Sequence, residues 1–173
     1  MGRMRSLLGM LGLERPAPDA GDAIRRIATE LERLEPAQAR YVAAFAFVLS
    51  RVAGADHEVS DEETALMTSL VREKLSLSPD QATLVVEIAR TQQRMFGGTD
   101  DFLVTRELAG LASDEQKLAI VDCLYAVAAA DKSVRVSETN EIAHIAKQLR
   151  VDPEDVRRIR QKYRDHLEAR KPL

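Results

Sequence analysis

Apolar residues recur three and four positions apart along most of this chain, which is the spacing of helices buried on one side. Ile24, Ile27, Leu31 and Leu34 make the first such stripe and predict a helix over about 22–34. Pro36 suits the first turn of the next, which carries Val42, Phe45, Leu49 and Val52 and ends near Ala55. Ser60 and Glu63 have capping-box spacing and open a helix with Leu66, Met67, Leu70 and Val71 on its apolar face. Ser78 followed by Pro79 and Asp80 starts another, running to about Arg94 before Gly97 and Gly98. A connecting helix over about 99–112 carries Phe102, Leu103, Leu108 and Leu111. Ser113 and Gln116 repeat the capping spacing ahead of Leu118, Val121, Leu124, Val127 and Ala128. A helix with Ile142, Ile145, Ala146 and Leu149 follows, and Asp152-Pro153 opens the last, which buries Val156, Ile159 and Tyr163. No segment alternates with period two. The expected fold is all-α, a single domain of about eight helices built from two related helical halves.

The second half of that expectation comes from an internal repeat. The stretch from Ala55 to Glu63 holds five carboxylates and no Lys or Arg. A second copy runs from Ala130 to Glu138. Asp56 and Asp131, Val59 and Val134, Glu63 and Glu138, and Thr64 and Thr139 are each separated by 75 residues. Beyond Leu70 and Ile145 the first copy has one extra residue, and the match resumes at an offset of 74: Leu75, Leu77 and Pro79 against Leu149, Val151 and Pro153. A repeat this long and present only twice is no solenoid. It reads as a duplication inside one domain, over about 36–94 and 113–167, within a helical domain spanning 22–173.

Composition narrows the class. Of 173 residues, 45% are hydrophobic but only 4% aromatic, so the core is aliphatic. The net charge of -3 gives no reason to expect nucleic acid as a partner. The single Cys123 excludes an internal disulfide and fits a reducing, cytoplasmic setting. Residues 1–21 form a separate segment, expected to be flexible, because Pro16, Pro18 and Gly21 punctuate its end. Its short apolar stretch makes it the candidate for peripheral membrane association.

The acidic copies carry the candidate chemistry. Asp56 and Asp131 sit where helices end, so their charge opposes the helix dipole. Glu63 and Glu138 sit early in helices, where negative charge is favoured. Two readings of the aspartates stand: an Asx-turn satisfied by neighbouring amides, or ligation of a cation by oxygen. Carboxylates suit a hard divalent ion, Ca²⁺ or Mg²⁺, and without thiolates a structural zinc site is not expected. If the halves pack about a pseudo-two-fold axis, Asp56, Glu63, Asp131 and Glu138 share one site. The stretch is no EF-hand: with Asp56 as the first position, Asp61 stands at the sixth and Met67 at the twelfth.

Ala55-Asp56-His57-Glu58-Val59 and Ala128-Ala129-Ala130-Asp131-Lys132-Ser133-Val134, each followed by a Glu, resemble the motif of the TerB-like domain of tellurite-resistance proteins. The resemblance extends over about 36–167 and departs at the motif's usual glycine, which is His57 in one copy and Lys132 in the other. It implies an all-helical fold of two related halves and a metal site of acidic residues, placed by position at Asp56, Glu63, Asp131 and Glu138. It also implies a link to tellurite and other chemical stress. Lys132 stands beside the second Asp and tends to neutralise it.

Nothing in the chain suggests catalysis. Phosphate-loop, Ser/His/Asp and HExxH patterns are missing. Cys123 lies in an apolar helix and reads as a buried, inert thiol, and His144 as a helix-surface or packing residue. Arg157, Arg158, Arg160, Lys162 and Arg164 cover the face opposite Val156 and Ile159, an ordinary solvated face. The expected function is therefore a non-enzymatic binding domain with a divalent cation and a protein partner. Its rivals are an adaptor without metal and, more remotely, a metal-assisted hydrolase.

Overall fold

The structure is a computed structural model that describes residues 21–52, 60–96, 102–130 and 136–164. The N-terminal segment expected to be flexible lies, over 1–20, outside the described residues. Eight helices are present among the described residues: α1 (Gly21–Glu32), α2 (Pro36–Val52), α3 (Asp61–Leu75), α4 (Pro79–Phe96), α5 (Phe102–Leu111), α6 (Asp114–Ala130), α7 (Val136–Gln148) and α8 (Pro153–Lys162). No strand occurs among them, and none of the helices is long and apolar enough to cross a membrane. The fold is all-α, as the periodicity predicts.

Helix starts follow local chemistry. At α3 the Glu63 N–H donates to Ser60 Oγ (3.1 Å) and the Ser60 N–H donates to Glu63 Oε2 (3.0 Å). The same reciprocal pair forms between Ser113 and Gln116 ahead of α6. It forms again between Ser78 and Gln81 ahead of α4. Asp152 caps α8, accepting the Glu154 N–H at 2.8 Å. Each cap satisfies amides that the first turn leaves without a partner.

Helix ends repeat as well. Ser76 and Arg150, 74 residues apart, are the two non-glycine residues with positive φ among the described residues, at 52° and 60°. After each, the next amide reaches back to the helix: Leu77 N–H to the Arg72 carbonyl (3.3 Å) and Val151 N–H to the Ala146 carbonyl (3.0 Å). Those bonds satisfy orphan carbonyls and turn the chain into the following Pro-started helix.

Two helices form the centre. In α2 the whole run from Tyr41 to Leu49 is buried, and in α6 the run from Cys123 to Ala129. Helices apolar all round need neighbours on every side. α2 packs against α1, α4, α5, α6 and α7, and α6 against α2, α3, α7 and α8. Val71, Val85, Ile88, Leu108, Ile142, Ile145 and Leu149 fill the spaces between. One expectation needs correction: Leu66 is 47% exposed, and α3 buries only Val71 fully, with Met67 and Leu70 partly covered.

On the far side of α6, Asp122 gathers polar partners from α3 and α8. Its carboxylate pairs with Lys74 Nζ (3.0 Å) and accepts the Tyr163 hydroxyl (2.8 Å). The Tyr163 ring stacks on Tyr125 at 6.4 Å. The hydrogen bond to Asp122 raises the Lys74 pKa above the usual lysine range. Beside it, burial first and then the Asp122 charge push the Cys123 thiol up to about 12. Burial likewise pushes Tyr41 up to about 12.

Two predictions follow from this architecture. Replacing Ser76 by Gly removes the cost of a left-handed side chain, so Ser76→Gly should stabilise the fold by about 0.5 kcal/mol in urea denaturation. The second concerns alkaline pH. Cys123, Tyr41 and Lys74 all hold their protons more tightly folded than unfolded. The unfolded state therefore loses protons first, and stability falls as pH rises. The fall should begin above the ordinary thiol value of about 8.5 and steepen above about 10. Melting temperature measured from pH 8 to 11 should decline, and Cys123→Ala should flatten the early part of the slope.

Candidate functional site

The four carboxylates proposed from sequence are reached unequally. Asp56 and Asp131 lie outside the described residues, as does the side chain of Glu138, which occupies the first turn of α7. Glu63 is described, in the first turn of α3. Its Oε2 accepts the Ser60 amide, so the capping box holds the carboxylate at the helix N-terminus, where the dipole favours negative charge. Among the described residues, no three His, Cys, Asp or Glu side chains gather as a metal-binding group.

What the structure adds is the framework around the two acidic stretches. Arg51 stands in the last turn of α2, five residues before Asp56, with its side chain only 5% exposed. Its Nε donates to Glu141 Oε1 on α7 at 2.8 Å, and Nη2 pairs with the same oxygen. Its Nη1 donates to Thr105 Oγ1 on α5 (2.9 Å) and to Gln148 Oε1 at the end of α7 (3.1 Å). Thr105 is fully buried, and this bond supplies its hydroxyl with a partner. A buried guanidinium without such partners would be costly, so Arg51 fixes α2, α5 and α7 relative to one another.

Glu141 lies one helical turn beyond Glu138. The helix that leads into the first acidic stretch is thus clamped to the helix that follows the second. The reciprocal pair, α3 after the first stretch and α6 before the second, is also in contact. Sequence reading missed Arg51, Thr105 and Glu141. The available signal was a charged residue closing an otherwise apolar helix, the same signal that Asp122 gives inside α6.

The remaining candidates behave as their local sequence suggests. Cys123 is fully buried and protonated, which removes it as a nucleophile. The arginines of α8 are exposed, with Arg157 paired to Glu154 and Arg158 to Asp155. His144 is exposed on α7, its Nε2 3.3 Å from Gln148 Nε2.

Comparison with known proteins agrees with the motif. Searches of curated proteins and of solved structures return no match. A family model described as Tellurite resistance protein TerB matches residues 41–161, from the start of the buried run of α2 almost to the end of α8. Eight helices, the acidic stretches between them and that match together make the chain a member of the TerB family.

Proposed function

We propose that this chain is a non-catalytic TerB-family domain holding one divalent cation, Ca²⁺ or Mg²⁺, between its two acidic stretches, and that it serves the response to tellurite or other chemical stress. The ligands in this reading are Asp56, Glu63, Asp131 and Glu138. The observation that carries it is the crossed packing of α2 on α7 and of α3 on α6, with Arg51 and Glu141 as its clamp. Each contact pairs a helix bordering one stretch with a helix bordering the other. Helices α3 and α7 begin 75 residues apart, and α4 and α8 begin 74 apart, which supports reading the two halves as a duplicated unit.

The donor chemistry fits a hard cation: carboxylate oxygens, with the one thiol buried and protonated in α6. Glu63 Oε2 is held by the Ser60 amide, and Oε1 has no hydrogen bond among the described residues. A bound divalent ion supplies the positive charge that lets close carboxylates stay ionised together. The chain's own part is to hold those oxygens in place, Glu63 through its cap and the α2 end through Arg51. The role in this reading is binding and presentation to a protein partner. A second reading, a partner-binding adaptor without metal, is favoured by the capping box alone, because that box accounts for Glu63 locally.

A melting series in chelator, Ca²⁺, Mg²⁺, Mn²⁺ and Zn²⁺ separates the two. A cation at about 100 times its Kd should stabilise the native state by about 2.7 kcal/mol. Asp56→Asn and Glu63→Gln should each reduce that gain, and the double variant should be non-additive. Asp131→Asn should have a smaller effect, since Lys132 offsets its charge. Additive effects, or no cation-induced stabilisation in the parent protein, would leave the adaptor. The clamp has its own test. Arg51→Met leaves the Thr105 hydroxyl and Glu141 without their donor and should cost about 2–3 kcal/mol in urea denaturation. Adding Glu141→Leu should recover much of that loss, because a pair replaced by apolar side chains no longer strands a charge.

A further inference from the structure

Between α5, the start of α6 and the end of α7 lies an open cavity of about 820 Å³. Four permanent cations line it: Arg106 from α5, Lys117 from α6, Lys147 from α7 and Arg150 just beyond. No Asp or Glu is among its lining residues that are described. Arg106, Lys147 and Arg150 are exposed and have no ion-pair partner among the described residues. Lys117 has one, Asp114 at 3.7 Å, and that carboxylate is itself fully exposed.

Elsewhere on the surface, Arg26, Arg33, Lys74, Arg157 and Arg158 each face a carboxylate within salt-bridge distance. The chain carries more acidic than basic residues, so scattered charges would leave few cations together. Here four converge on a concave surface from three helices. Like charges brought together in a cleft repel one another and focus a positive potential into it. The floor adds room and donors. A Cβ built on Gly110 would meet nothing within 4 Å, so that side of the cavity is open. Gln148 and His144 complete the wall, and the Gln148 carbonyl is held by Arg51. Arg150 is set by the turn that follows α7, where its backbone is left-handed.

We propose that this groove binds a small molecule carrying more than one phosphate-type negative charge. Guanidinium groups give bidentate hydrogen bonds to phosphate oxygens, and lysines add point charges. The volume fits an ordinary small-molecule site. The shared chemistry is the phosphate group, whether on a free solute or on a lipid headgroup. None of the residues used here belongs to the acidic stretches, so the proposal stands or falls apart from the cation reading.

The test uses the full chain at constant ionic strength, with inorganic pyrophosphate as the probe followed by calorimetry and by melting temperature. The parent should bind saturably and melt higher with pyrophosphate. A groove triple variant, Arg106→Gln, Lys147→Gln and Arg150→Gln, should bind at least about tenfold more weakly, the scale of losing one charge-assisted hydrogen bond. Without probe it should melt no lower than the parent, because mutual repulsion is relieved. A control triple variant, Arg33→Gln, Arg157→Gln and Arg158→Gln, removes the same net charge elsewhere and should bind within about twofold of the parent, as expected for distant surface charges screened by salt. Vesicles of phosphatidylinositol 4-phosphate in phosphatidylcholine, whose headgroup carries a phosphomonoester beside the phosphodiester, form the second arm. Groove-dependent binding to them without pyrophosphate binding would assign the phosphate to a lipid headgroup. Equal weakening in both triple variants would reduce the effect to bulk charge and overturn the proposal. So would absence of groove-dependent binding in either arm, or displacement of pyrophosphate by hexaglutamate at lower concentration, which would make the groove a site for acidic peptide.

Discussion

The structure depends on two helices that have no solvent face. Along α2 and α6 nearly every side chain from the middle onward is buried, and Ala supplies many of them. Small residues let neighbouring helices approach closely, and a chain with only 4% aromatics has few bulky groups to keep them apart. Each of the two therefore has to be ringed by amphipathic helices, and the remaining six take up that position. The hydrophobic effect drives this but does not choose among arrangements, since aliphatic contacts are non-directional.

Direction comes from the few polar groups inside. Arg51 follows the buried run of α2, and Asp122 stands between the buried Val121 and Cys123 of α6. Each is tied to two other helices: Arg51 to α5 and α7, Asp122 to α3 and α8. A rotation of either central helix would strand a buried charge, which costs more than any one aliphatic contact. The two clusters thus fix which neighbour lies on which side. Every surrounding helix except α1 and α4 is held by one of them.

Much of this could be read from the residues. Ser-x-x-Glu, Ser-Pro-Asp and Ser-x-x-Gln gave the starts of α3, α4 and α6 because a cap is local chemistry. Boundaries without a cap were less legible: the first helix, expected to reach Leu34, ends at Glu32. Leu66 shows another limit, since periodicity identifies an apolar face without saying how wide a neighbour covers it. The Arg51 cluster joins residues 54 to 97 positions apart, and nothing in one helix announces its partner in another. The basic groove was invisible for the same reason. Arg106, Lys117, Lys147 and Arg150 each look like an ordinary exposed residue until three helices bring them together. Of the acidic site, the part that was legible and is described is Glu63, whose position follows from the cap alone.

The two acidic stretches follow the two central helices, and this gives them unequal electrostatics. A helix C-terminus carries a partial negative charge, so carboxylates placed after it are disfavoured unless a cation compensates. Helix α2 has a basic residue in its last turn, but Arg51 is already committed to Glu141, Thr105 and Gln148. Helix α6 has no basic residue in its last turn, and Lys132 comes immediately after Asp131 instead. The first stretch therefore holds five carboxylates with no lysine or arginine of its own, while the second carries Lys132 and Arg135. A cation bound as proposed would relieve more repulsion in the first than in the second. In the proposed shared site Asp56 and Glu63 would accordingly supply most of the attraction, and Asp131 and Glu138 would mainly complete the oxygen set.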